Sequence, residues 1–97
     1  MIEKLNDANL DFMFEAILQL KDINECYDFF EDLCTVTELR AMSQRIVVAK
    51  MLRDKKVYSD IVAATGASTA TISRVNRSLQ YGDGYERIFQ RLDEKNK

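Results

Sequence analysis

From Asn9 to Leu79 the chain holds no proline and one glycine, Gly66, so almost nothing along that span forces a helix to stop. Apolar residues recur at helical spacing. Leu10, Met13, Phe14, Ile17 and Leu18 predict a first helix from Asn9, available as its N-cap, to Lys21. Asp22 and Glu25 stand in capping-box order before Cys26, Phe29, Phe30 and Leu33, which predicts a second. Thr35 or Thr37 opens a third running to about Lys55, with Thr35 and Glu38 again at capping-box spacing. Tyr58 to Thr65 is a short helix ended by Gly66 as a left-handed C′ residue, and Ser68 caps the next, over 68–80. YGDGY reads as a loop, after which Asp83 with Glu86 caps a last helix presenting Ile88, Phe89 and Leu92. The fold class is therefore all-α, with about six helices in a single domain, 1–97: helices 1–56, a pair over 58–80, and a C-terminal helix over 83–95.

The third helix is apolar nearly all round, because Leu39, Met42, Ile46, Val48, Ala49 and Leu52 cover a broad arc and Val47 and Met51 spill beyond it. A helix of that kind is buried on most sides. A chain of 97 residues buries only about 60–65% of its unfolded surface and cannot surround it unaided, so the helices of 1–56 are expected to build a homodimer. Arg45 falls inside the apolar arc, where a charge needs a carboxylate partner or a bound ligand. Arg53 is on the same side but near the helix end, where it can snorkel and favour the C-terminal dipole.

Charge is segregated. Residues 1–38 hold two basic and ten acidic side chains, a balance of −8, and residues 39–81 hold eight basic and two acidic, a balance of +6. A positive half of this size suits an anionic partner, since local potential attracts phosphates even when the total is −2. Catalysis finds little to work with: there is no histidine, no GxSxG and no phosphate-cradling glycine loop, and the two cysteines lack metal spacing. Cys26 and Cys34, about 12 Å apart if on one helix, are beyond disulfide reach and are expected as small buried apolar groups. No apolar run approaches a membrane span and no signal-peptide order opens the chain, so a cytoplasmic location without membrane contact is expected.

Two short helices joined through Gly66-Ala67-Ser68 fit a helix-turn-helix. On the second, Ile72, Val75 and Leu79 lie within about 60° of one another and form the packed side, which turns Ala70, Ser73, Arg74 and Arg77 outward. Small side chains allow close approach to base edges, Thr69 and Ser73 can bond to bases or phosphates, and arginine to guanine or backbone. The N-terminus of that helix, at Ser68, adds free N–H groups for phosphate. Five Ser and Thr among residues 68–78, mediocre helix formers, are better explained by such a use than by propensity. Lys50, Lys55 and Lys56 add positive charge nearby.

TGASTATISR (Thr65–Arg74), with SQR (Ser43–Arg45) upstream, resembles the Trp repressor family, and the chain as a whole looks like its YerC/YecD-type branch. The resemblance covers nearly the full length. It implies six helices, an intertwined homodimer and binding of double-stranded DNA at a palindromic operator. It further implies that Thr69, Ala70, Thr71 and Ser73 face DNA and that Tyr58 and Ser59 start the helix that meets the backbone. Arg45 and Arg74 match two arginines that sandwich a tryptophan corepressor, and Thr35 and Ser78 match further positions of that effector pocket. Three positions depart from the pattern. Val75 replaces the glycine that leaves room for the indole, Asp32 stands where an apolar pocket residue is expected, and Val62 replaces a basic residue near DNA. No cofactor is therefore assigned: Val75 speaks against tryptophan as corepressor, and another small-molecule effector, or none, is left open.

The function expected is a dimeric, sequence-specific transcription regulator, a repressor in class. The alternative is an adaptor of the transcription machinery that uses the helix-turn-helix and the acidic face for protein contacts.

Overall fold

A computed structural model of the protein describes residues 7–97. Among them there are six α-helices and no strand: α1 Ala8–Ile17, α2 Ile23–Leu33, α3 Val36–Arg53, α4 Tyr58–Thr65, α5 Thr69–Tyr81 and α6 Gly84–Lys95. None is long and apolar enough to cross a membrane.

Local chemistry sets most of the boundaries. At α2, Asp22 Oδ1 accepts the Glu25 N–H at 2.8 Å while Glu25 Oε1 accepts the Lys21 N–H at 3.0 Å. At α3 the box is reciprocal: Thr35 Oγ1 accepts the Glu38 N–H at 3.1 Å and Glu38 Oε1 accepts the Thr35 N–H at 2.8 Å. Those bonds hold the Glu38 carboxyl below its ordinary pKa. Gly66 has φ 71° as the C-cap of α4, and a Cβ there would meet no atom within 4 Å, so its requirement is conformational and not steric.

Four boundaries differ from expectation. The cap of α1 is Asp7, whose Oδ1 accepts from the N–H groups of Asn9 at 2.8 Å and Leu10 at 3.4 Å; its charge also suits the positive helix end. Asn9 is inside the helix instead. α1 ends at Ile17, because tighter i→i−3 bonds from Gln19 to Ala16 and from Leu20 to Ile17 replace the α ladder well before Lys21. The YGDGY loop shrinks to Gly82-Asp83, Tyr81 closing α5 and Gly84 opening α6. Asp83 makes no side-chain cap bond, and Glu86 does not reach back to it because Arg53 takes both its oxygens.

By packing the chain divides into two units, one reaching to Leu39 and one of Arg40–Lys97. In the first, α1 and α2 contain no buried residue, and Phe12, Leu18 and Ile23 are 73%, 78% and 73% exposed. Cys26 and Cys34 are free thiols, half-buried, and Cys34 lies at the C-cap of α2, beyond the helix proper.

The second unit holds the core. Val48 and Ala49 of α3, Ile61 of α4, Ala67 of the turn, Ile72 and Val75 of α5 and Phe89 of α6 are buried together, with Met51, Leu52 and Tyr85 half-buried against them. Burying the valine, isoleucine and phenylalanine side chains among them stabilises by about 1.5–3 kcal/mol each. Of all of α3, only Val48 and Ala49 are buried; Val36, Met42, Ile46 and Val47 remain exposed.

Candidate nucleic-acid interface

The turn between α4 and α5 is built from its own polar atoms. Thr65 Oγ1 donates to the Ile61 carbonyl at 2.7 Å and accepts the Ala67 N–H at 3.1 Å, while the Gly66 N–H donates to the Val62 carbonyl at 2.9 Å. Ala67 is then 2% exposed, wedged into the core, and fixes where α5 begins. Ser68 Oγ accepts the Thr71 N–H at 3.1 Å and lies 3.1 Å from Thr71 Oγ1. Both hydroxyls are thus engaged in starting the helix, and Thr71 is half-buried.

Ile72, 0% exposed, and Val75, 3% exposed, form the packed side of α5, with Leu79 half-buried beside them. The opposite face carries Thr69, Ala70, Ser73, Arg74 and Arg77, all exposed. Its first part is short-sided and its second part is cationic. Tyr58 and Ser59, also exposed, open α4, whose N-cap Val57 makes no side-chain bond, so the first N–H groups of that helix keep their donor capacity.

The neighbouring cations are not equivalent. Lys50 Nζ contacts both carboxylate oxygens of Asp54, at 2.8 and 2.9 Å, a pairing the sequence reading overlooked although Asp54 stands four residues on. Side chains this exposed form pairs worth less than about 1 kcal/mol, so a phosphate can displace Asp54. Lys55 and Lys56 are exposed.

The residues matched to an effector pocket are less united. Thr35 is exposed, with its hydroxyl and backbone N–H committed to the α3 capping box. Arg45 is exposed rather than enclosed in an apolar arc, because burial on α3 is confined to Val48 and Ala49, and none of the ion pairs among the described residues includes it. Arg74 is exposed and Ser78 half-buried. Ser78 lines an open, mainly apolar cleft of ≈ 430 Å³ with Ile46, Gly82, Gly84, Tyr85 and Ile88, and neither Arg45 nor Arg74 contributes to its walls. Asp32 and Val62 are exposed, and Val75 belongs to the core.

Two interactions that position the site were missed. Gln44 Nε2 donates to the Thr65 carbonyl at 3.2 Å, and Arg53 ties α3 to α6. Arg53 donates Nε and Nη2 to Glu86 at 2.9–3.2 Å and Nη1 to Asp93 at 2.7 Å, with its guanidinium 5.7 Å from the centroid of the Phe89 ring. These bonds push the Arg53 pKa up and hold the Asp93 carboxyl below its ordinary range. The helix-end snorkel expected of Arg53 gives way to this ion-paired arrangement. A signal was present: Glu86, Phe89 and Asp93 stand at i, i+3 and i+7, one stripe of α6.

Comparison with known proteins agrees with this architecture. Residues 8–93 match the family model described as Trp repressor protein. The chain is 53% identical over 94 residues to YerC, an uncharacterized protein of Bacillus subtilis strain 168, covering 96% of this chain and 90% of that one. The crystal structure of a TrpR-like protein from Eubacterium eligens superposes with a TM-score of 0.88 at 58% identity, over 91% of this chain and 92% of that one. A second crystal structure, from Staphylococcus aureus, gives 0.87 at 52% identity, over 91% and 89%. With its six helices, its glycine-turned helix pair and this match over nearly its whole length, the chain belongs to the Trp repressor family.

Proposed function

We propose that the protein is a dimeric, sequence-specific transcription regulator that binds double-stranded DNA through α4 and α5. The observation that carries this reading is the exposed face of α5, where Thr69, Ala70 and Ser73 precede Arg74 and Arg77 while Ile72 and Val75 hold the other side in the core. In this reading Ala70 and the short hydroxyl side chains allow α5 to enter the major groove, and Thr69 and Ser73 contact base edges. Arg74, Arg77, Lys55 and Lys56 meet phosphates, and Tyr58 and Ser59 meet the backbone at the start of α4. Thr71 and Ser68 contribute less to readout, since their hydroxyls are engaged at the cap.

Dimerisation is supported by what one chain leaves uncovered: α1 and α2 contain no fully buried residue, and Met42, Ile46 and Val47 of α3 are exposed. Isolated apolar helices of this length are marginal in water, and a second copy supplies the missing burial. Two copies would present two α5 helices to half-sites about 34 Å apart, which makes a palindromic operator the matching target.

The test is selection of binding sites from random duplexes by gel shift at about 0.15 M salt. A symmetric consensus is expected. Recovery of no duplex at that salt would overturn the reading and leave the adaptor alternative.

A further inference from the structure

Within the Arg40–Lys97 unit, Ile72 and Val75 of α5 share one buried apolar cluster with Val48 and Ala49 of α3, and no hydrogen bond or ion pair among the described residues joins the two helices. Apolar contact of this kind is non-directional, and cores repack with small shifts at modest cost. It holds α5 against α3 without defining its tilt. Directional restraints act on either side of α5. Ahead of it, Gln44 of α3 donates to the carbonyl of Thr65, the last residue of α4 and one of the helix-end acceptors that the α4 ladder leaves unpaired. Behind it, Arg53 of the same helix grips Glu86 with its Nε and Nη2 and Asp93 with Nη1, while covering Phe89, the α6 side chain that enters the core beside Ile72 and Val75. The two donors are nine positions apart on α3, about 13 Å at 1.5 Å per residue. One helix thus bonds to the element before α5 and to the element after it.

We propose that Gln44 and Arg53 are positioning residues that set the tilt of α5, Gln44 through the turn at Thr65 and Arg53 through α6, so that they govern sequence discrimination without touching DNA. The inference rests on the DNA-binding reading above. Because phosphate attraction tolerates small misalignment and the directional hydrogen bonds from Thr69 and Ser73 to base edges do not, loosening either tether erodes specific binding and spares non-specific binding.

The experiment measures binding of the selected duplex and of a scrambled duplex by fluorescence anisotropy, well below the melting temperature of every variant. Gln44→Leu and Arg53→Met are compared with wild type and with Val48→Ala, a core variant that loses stability and keeps both tethers. Each tether variant is expected to lower the ratio of specific to scrambled affinity about tenfold, the size of one lost base contact, with scrambled affinity and salt slope unchanged. Arg53→Lys, which keeps the charge and loses the forked geometry, should restore only part of the ratio. The proposal is overturned if the ratio survives in Gln44→Leu and Arg53→Met, or if Val48→Ala lowers it equally. A wild-type ratio of one would instead remove the DNA-binding reading, and the proposal with it.

Discussion

The Lys55 N–H donates to the Leu52 carbonyl at 3.0 Å with Lys55 at φ 66°, and the next N–H, of Lys56, returns to Met51 at 3.0 Å. Together these bonds terminate α3 in a Schellman turn whose left-handed position is occupied by a lysine. A residue with a Cβ is strained there by about 1 kcal/mol. Lys55→Gly is therefore expected to raise stability by roughly 0.5–1 kcal/mol, several degrees in Tm, in thermal melts at fixed protein concentration. Lys55→Val should lower it. A lower Tm for the glycine variant would show that the turn is unstrained.

Acid should destabilise the protein in a way traceable to Arg53. Both Asp93, through its bond to Arg53, and Glu38, through the backbone N–H of Thr35, have lowered pKa values in the folded chain. For such groups the unfolded chain takes up protons first, so their contribution is complete above the ordinary carboxylate pKa of about 4 and disappears as pH falls through the lowered folded values. Denaturant midpoints should accordingly be flat at neutral pH and fall below about pH 4. Arg53→Met should make the acid limb shallower, and an unchanged limb would assign it to other carboxylates.

Arg77→Ala is expected to weaken binding to every duplex tested and to reduce the slope of log affinity against log salt by about one. Thr69→Ala or Ser73→Ala should change the preferred sequence and leave that slope alone. If filter binding gave identical affinity and slope for wild type and Arg77→Ala, the proposed docking face would be wrong.

Val47 is exposed on α3, so a carboxylate there is tolerated by a single chain. In the proposed dimer Val47→Glu places charge in the interface. Sedimentation at micromolar concentration should give a dimer for the wild type and a shift toward monomer for the variant. A helical wild-type monomer would refute the pairing.

Tryptophan is expected to have no effect. Val75 is part of the buried cluster, and Arg45 and Arg74 do not line the cleft that Ser78 borders. Titrating the amino acid to about a millimolar should change neither Tm nor DNA affinity. A rise in either would require a pocket that opens on binding.

What the sequence disclosed is what neighbours in sequence decide. The boxes at Asp22/Glu25 and Thr35/Glu38, the left-handed Gly66 and the cap at Ser68 each depend on residues three or four apart, and all are present. The faces of α5 followed from angular spacing for the same reason. Asp83/Glu86 has equally good spacing and fails, because Arg53, thirty-three residues away, competes for the carboxylate with a charge-assisted fork. Lys55 was invisible since the left-handed position normally signals itself with glycine or asparagine. Arg45 was misplaced by an angular count that treats a helix as uniformly enclosed along its length, whereas burial on α3 is confined to Val48 and Ala49.

The bareness of α1 and α2 reaches beyond the assembled state. Under the proposed pairing, a newly synthesised chain cannot complete its N-terminal helices in solitude and waits for an encounter. Dilution then acts as a denaturant, melting becomes concentration-dependent, and the cell's copy number sets how much of the protein exists in working form.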